Sequence, residues 1–363
     1  MSGHDRGKVE AVSRHDHDEV EAVSEHDQGG PEPVSLLERR YRAVLRLLPV
    51  SYRAEREEEM VAAFLEASGD VPDEENPRPR WGEIASVLAL SARVRLGGAG
   101  ATPGQVARGD AVRLIALLGM GAVAAFSVAG LVRVAVLGSE LSLAGPPESA
   151  ERLGFITDLA AAVCSVLAFV AIMRGHVRTA KVAALLGLVP TLAAFVVAVA
   201  RHGFPGLPPL QDLANLALLL VPPVALLAGF HSDVTPRRRS WALALSPVAA
   251  GAALMGLTLL LVAADATEPL WFHLWLDHGA TIAVWAAASV TVLVRRGSPS
   301  WALALSATGL LLLAIRLPML GWLPDAMWPT GALQCVLLGT LALALGGTGT
   351  WALARAARPA AQP

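Results

Sequence analysis

Beyond residue 111 the chain is built of long apolar runs parted by short stretches of Gly, Pro and charge. Eight such runs stand out, at 112–137, 155–173, 181–200, 213–230, 240–263, 276–294, 301–320 and 331–353. A helix needs about 20 mostly apolar residues to cross the hydrocarbon core of a bilayer, so the pattern predicts an all-α, polytopic membrane helix bundle of eight transmembrane helices. Gly145-Pro146-Pro147, Gly203-Phe204-Pro205 and Leu323-Pro324-Asp325 mark breaks between runs.

The preceding residues follow other periods. Residues 4–27 carry an eleven-residue repeat: His4-Asp5 with Val9 to Ser13, His15-Asp16 with Val20 to Ser24, and a third start at His26-Asp27. Rich in acids and poor in large apolar residues, residues 1–34 read as a disordered acidic tail. His4, His15, His17 and His26 beside their aspartates form a weak candidate metal-binding tract, opposed by the entropy of gathering ligands on a flexible chain. The start lacks a basic stretch followed by an apolar run, so no signal peptide is expected and the head is expected in the cytoplasm.

Residues 35–100 predict a small domain of three helices. Ser35 is placed to cap the first, where Leu37, Tyr41, Val44, Leu45 and Leu48 share a face before Pro49. Ser51 is placed to cap the second, with Tyr52, Met60, Val61, Phe64 and Leu65 on its apolar side. The third runs from about Trp81 to Leu96 with Ile84, Val87, Leu88 and Val94 at helical spacing, after an acid- and proline-rich loop from Asp70 to Pro79. Arg39, Arg40, Arg42 and Arg46 on the first helix are expected to meet Glu57, Glu58 and Glu59 on the second, at about 0–1 kcal/mol per exposed pair. Residues 101–111 read as a linker, 112–353 as the membrane domain and 354–363 as a cytosolic tail.

The run Tyr41-Arg42-Ala43-Val44-Leu45-Arg46-Leu47-Leu48-Pro49-Val50-Ser51-Tyr52-Arg53, followed by Glu57-Glu58-Glu59-Met60, resembles the cytosolic helical domain of the HAAS-type and permease-prefix families. Their pattern is aromatic-Arg-x-x-Leu, Leu-Pro, an aromatic-Arg pair and Glu-Met. The resemblance covers about sixty residues of the chain. It implies a cytosolic signalling or assembly module fused to a membrane domain, sometimes encoded with PadR-like regulators, and brings no catalytic residues.

Charge sharpens the division. The chain of 363 residues is 54% hydrophobic and 17% charged, too apolar for an ordinary soluble domain, and 35 of its 60 charged side chains fall in residues 1–110. Neither part has the basic patch of a nucleic-acid binder. Lys8 and Lys181 are its two lysines among 29 basic residues, an arginine bias that points to GC-rich, actinobacterial coding. Arg174, Arg178, Lys181, Arg237, Arg238, Arg239, Arg295, Arg296, Arg355 and Arg358 fall on the side of the head, and only Arg152 and Arg201 on the other. That asymmetry predicts a cell-membrane protein with both termini cytoplasmic. Trp241, Trp301 and Trp351 near the inner boundary, and Trp271, Trp275, Trp322 and Trp328 near the outer one, match the aromatic belts of a spanning protein.

Candidate chemistry is sparse. There is no phosphate-loop motif, Gly346-Gly347-Thr348-Gly349 lacking its lysine, no His-Glu-x-x-His run and no serine in a nucleophile elbow. No enzyme activity and no cofactor are therefore expected. Cys164 and Cys335 read as small buried hydrophobes. Ionisable groups at membrane depth are costly and mark function by default. Arg133, Asp158, Arg316 and Gln334 all fall toward the outer leaflet, as a polar cluster able to bind a ligand or pass a proton. Snorkelling, or pairing of an arginine with Asp158, accounts for the same residues. His273, Asp277 and His278 form a second constellation without a third equal ligand, equally explained as a surface histidine and a helix cap. Pro190, Pro222-Pro223, Pro247 and Pro318 are expected within helices three, four, five and seven, and Ser240 to Ser246 recurs as Ser300 to Ser306 with a period of 60.

Two functions fit this sequence. One is a non-enzymatic signalling or assembly protein in the lipid bilayer whose head, residues 35–100, binds a cytosolic protein partner. The other is a transporter or permease subunit without its own ATPase.

Overall fold

The computed structural model describes residues 34–69, 75, 78–137, 150–202, 210–231, 234, 238–264 and 279–356. Among these residues there is no strand. They form twelve α-helices: α1 (Leu36–Leu45), α2 (Val50–Ser68), α3 (Trp81–Arg95), α4 (Pro103–Leu137), α5 (Ala150–Met173), α6 (Val177–His202), α7 (Leu210–Gly229), α8 (Trp241–Ala244), α9 (Ser246–Ala263), α10 (Ala280–Val294), α11 (Pro299–Met319) and α12 (Trp328–Ala356). A 3-10 turn at Leu320–Trp322 joins α11 to the segment before α12. The repeat tail with its histidines, most of the loop at 70–79, residues 357–363, and Trp271, His273, Trp275, Asp277 and His278 lie outside the described residues.

Helices α1–α3 share one core of Leu37, Tyr41, Leu45, Leu48, Val61, Phe64 and Val87. Each buried Leu or Phe contributes about 1.5–3 kcal/mol, which outweighs the surface pairs. The Tyr41 and Phe64 rings stack at 3.9 Å between centroids, and burial next to Glu83 raises the Tyr41 phenol above its ordinary pKa. Ser35 caps α1 as expected, its Oγ accepting from the Glu38 N–H at 3.2 Å. Ser51 does not cap α2: the N-cap is Pro49, two residues earlier, and the helix starts at Val50. Pro49 stops α1 by its missing N–H and fixed φ, and the chain re-enters helix at once, leaving Ser51 inside the first turn. Ser91 Oγ and Arg95 Nη2 both donate to the Leu47 carbonyl, at 2.6 and 2.9 Å, tying α3 to the end of α1.

The core-facing residues of α3 include Val87, Ser91 and Val94. Leu88, expected on that face, instead stands outward: Trp81, Ala85, Leu88 and Ala92, four and three residues apart in turn, form an outer stripe, with Trp81 84% and Leu88 50% exposed.

The expected linker at 101–111 is largely the beginning of α4. Thr102 and Gln105 cap each other's backbone N–H groups and Pro103 occupies the first helical position, a reciprocal start signal that brings the helix forward to Pro103. At 35 residues, about 52 Å, α4 outruns the hydrocarbon core and reaches back to the head. There Arg113 bridges three elements, its Nε donating to the Gly229 carbonyl at 2.9 Å, Nη2 to Leu96 at 3.3 Å and Nη1 to Asp110 at 2.7 Å. Gly109 lies against the Leu96 carbonyl, where any Cβ would collide.

Around α4 pack α5, α7, α9, α11 and α12. One buried cluster joins α4 to α5, α6, α7 and α8 through Met120, Phe169, Ile172, Leu226 and Ala244; another joins α10, α11 and α12 through Trp285, Leu305, Leu312, Leu338 and Leu345. The closest approaches are made by glycine. A Cβ at Gly119 would meet Pro222 of α7, one at Gly121 the Phe169 ring of α5, and one at Gly251 of α9 the Ala125 carbonyl of α4.

Helices overlap each of the eight apolar segments, and five are long and apolar enough to cross a membrane: Pro103–Val132, Phe155–Met173, Ser246–Ala263, Pro299–Met319 and Trp328–Ala356. Large apolar side chains stand on the outside of the bundle, with Val189, Leu260, Val284 and Leu343 exposed, the last by 73%. Water disfavours so continuous an apolar exterior, and hydrocarbon accepts it.

The period-60 repeat diverges in structure. In the first copy Ser240 caps α8, the helix breaks at Leu245, and α9 starts with Pro247 in its first turn. Pro247 was expected inside a continuous helix five; lacking an N–H and crowding the preceding turn, it ends α8 instead. In the second copy Ala307 holds the equivalent position and α11 continues unbroken.

Candidate functional site

The site is built on the α11–α12 hairpin. Along α11 the buried residues Ala302, Leu305, Gly309, Leu312 and Arg316 alternate spacings of three and four; along α12 so do Gly331, Cys335, Leu338, Ala342, Leu345 and Gly349. Such spacing gives a continuous seam between antiparallel helices. Small residues bring the backbones together: Ser306 Oγ donates to the Ala342 carbonyl at 2.8 Å, a Cβ on Gly346 would meet that hydroxyl, and Gly349 lies against Leu303. On the α10 side Gly309 admits the indole of Trp285, whose Nε1–H donates to the Leu305 carbonyl at 3.0 Å.

Arg316 enters this seam near its far end from the head. It is 1% exposed, one of the largest fully buried side chains among the described residues. Its Nε donates to Gln334 Oε1 at 3.0 Å, and Nη1 lies 3.9 Å from Met319 Sδ. Two residues on, Pro318 withholds the N–H that would have bonded the Ala314 carbonyl, which loosens the backbone at this depth. A guanidinium offers five N–H donors in a fixed fork and no acceptor. Arg316 therefore brings several directed donors into the seam, suited to holding an anion or a counter-charge.

Two of the four expected residues are thus in contact, Arg316 and Gln334. Arg133 lies near the end of α4 and Asp158 in the first half of α5, and the side chains of both are outside the described residues. Cys335 is buried in the seam beside Gln334, and Cys164 packs against Gly187 at the α5–α6 contact; both are free thiols. Among the described residues no group of three His, Cys, Asp or Glu side chains is placed to hold a metal ion.

At the head, Arg42 makes a two-point contact with Glu58 at 2.7 and 2.8 Å and bonds Glu38 at 2.9 Å. Glu58 is thereby held below its usual carboxylate pKa and Arg42 above its own. Glu59 pairs instead with Arg56.

Arg113 and Trp285 were not singled out in the sequence. A tryptophan N–H at membrane depth needs an acceptor, and an arginine at the start of an apolar run has donors that need carbonyls to bond, so both carried a readable signal.

Comparison with family models, curated proteins and solved structures finds no match for this chain.

Proposed function

We propose that this chain is a multi-pass cell-membrane protein that crosses the bilayer eight times, with both termini in the cytoplasm. Residues 35–100 form a cytosolic helical domain of the HAAS or permease-prefix type that binds a protein partner, and the membrane bundle anchors or senses without enzymatic chemistry.

The observation that carries this reading is the outer stripe of α3. The head closes its own core around Tyr41 and Phe64 and still leaves Trp81, Ala85, Leu88 and Ala92 in line on an exposed face of α3. In a helix, apolar residues at this spacing are the usual anchors of helix-in-groove recognition. The rigid tie of Arg113 to Leu96 and Gly229 supports a coupling between whatever docks there and the bundle.

A photo-crosslinking residue at position 88 of the full-length protein, activated in intact cells, tests the idea. A discrete protein adduct that disappears when Trp81→Glu is added is the expected outcome. Adducts with lipid only, or none, would sink partner binding through this face.

A second reading, a transporter or permease subunit that relies on an ion gradient or a separate ATPase, is favoured by one feature, the buried Arg316–Gln334 contact beside Pro318. Flux in reconstituted vesicles that vanishes in Arg316→Leu is its signature.

A further inference from the structure

At the head-side end of the bundle, the α5–α6 turn and the segment leading into α8 are clasped together. The Arg239 N–H donates to the Met173 carbonyl at 2.9 Å, and Arg174 Nη1 donates to the Arg239 carbonyl at 2.8 Å. Gly175, at φ +83°, makes the sharp reversal that brings Arg174 across. The clasp holds the Arg174 guanidinium 4.3 Å from the centre of the Trp241 ring, a cation–π contact that fixes both groups. Arg239 belongs to the clasp, and Arg178 and Arg238, close by in the chain, are exposed as it is.

Along the two segments basic residues predominate, with Asp233 the one acid between Arg174 and Trp241 other than Asp212. No acidic residue lies between residues 174 and 211 or between 234 and 264. Immediately along the chain, Trp241, Leu243 and Leu245 are exposed and apolar. The clasp therefore sets one guanidinium against an indole at the edge of an apolar wall, with three further exposed arginines close by in the chain, and a backbone bond as well as a side-chain bond holds it.

We infer that this clasp is a binding site for the headgroup of an anionic phospholipid of the cytoplasmic leaflet. The lipid phosphate accepts from Arg174 and the neighbouring arginines, Trp241 lies at headgroup depth, and the acyl chains run along Leu243 and Leu245. Guanidinium is the side chain best matched to phosphate oxygens, and basic pockets at the cytoplasmic ends of membrane helices suit anionic lipid heads. An apolar wall next to the cations favours a lipid over a free phosphate. The inference rests on the membrane reading given above.

The full-length protein, prepared from membranes that have survived a carbonate wash, is titrated with phosphatidylglycerol or phosphatidylcholine in detergent, and retained lipid is counted by native mass spectrometry. Loss of the protein in the wash would overturn the membrane reading itself, before any lipid is added. Selective retention of phosphatidylglycerol is expected, reduced about five-fold by Arg174→Gln. Arg295→Gln, at an exposed arginine outside the clasp, should leave retention unchanged. Should Arg174→Gln loosen the fold, Arg238→Gln carries the same expectation. Equal losses in the Arg174 and Arg295 variants would overturn the site in favour of diffuse positive charge. Displacement of the lipid by millimolar inorganic phosphate would overturn the lipid as its occupant.

Discussion

The core of α1–α3 and the contacts within the bundle differ in which residues make the closest approaches. The head buries large side chains, with Tyr41 stacked on Phe64 and leucines around them, and its alanines remain at or near the surface. The bundle also buries large residues such as Phe169 and Leu338, but its closest approaches belong to glycine, alanine and serine: Gly119 on Pro222, Gly251 on Ala125, Gly309 under Trp285, and Ser306 on the Ala342 carbonyl. In water, removing apolar area from solvent is the driving force, so large residues win. Against hydrocarbon that force is absent, and helices associate through the close approach of backbones that small residues allow. One chain therefore folds by two rules that meet at Arg113.

The largest effect expected from this contrast is at Gly251. A leucine there would drive its Cβ into the Ala125 carbonyl, a backbone atom that cannot step aside, whereas Gly256 on the same helix faces open space. Gly251→Leu should abolish monodisperse protein on size-exclusion chromatography, and Gly256→Leu should not. Equal behaviour would break the comparison. In the head, Phe64→Ala should cost about 3–5 kcal/mol, seen as protease cleavage of residues 35–100 while the bundle stays intact. Intact heads would place the main stabilisation elsewhere.

The Arg316 contact gives a smaller and more telling effect. Gln334→Leu removes an acceptor from a buried cation and should destabilise by about 1–3 kcal/mol. Arg316→Met removes the charge itself and should cost less if the residue is only structural, because replacing a buried ion by an apolar side chain of similar volume is often neutral. Thermal unfolding of both variants in one detergent separates the cases.

The smallest effect concerns Glu58. Its pKa is lowered by the hydrogen bonds from Arg42, so its contribution is present at neutral pH and is lost as the pH falls through that lowered value. The carboxylate is exposed, so Glu58→Gln should barely alter head stability at pH 7 and should slightly flatten its acid limb. A large loss at pH 7 would show the pair to be more than a solvated contact.

Much of this was legible in the sequence because the relevant signals are local. The Ser35 cap, the shared face of Leu37, Tyr41, Leu45 and Leu48, and the positions of the apolar runs depend on spacing alone. Arg316 and Gln334 were marked by the cost of polarity at depth, and they touch. What escaped depends on partners far apart in the chain or on two signals competing at one position. Leu88 lies about 100° from Val87 on the helix, and only the place of α1 and α2 decides which of the two is buried. Thr102 and Gln105 begin α4 before its apolar run does. Pro247 breaks a helix that Ala307, sixty residues on, lets pass.

The central claim, a bilayer-spanning bundle with the head inside the cell, is tested most directly by single cysteines at Ala99 and Ala326 in a Cys164→Ala, Cys335→Ala background. Both alanines are exposed, the first between α3 and α4 and the second between α11 and α12. Labelling of intact cells with a membrane-impermeant thiol reagent should mark position 326 and spare position 99, which reacts only after lysis. Labelling of position 99 and protection of 326 would contradict the orientation, and labelling of both in intact cells would contradict a membrane between them.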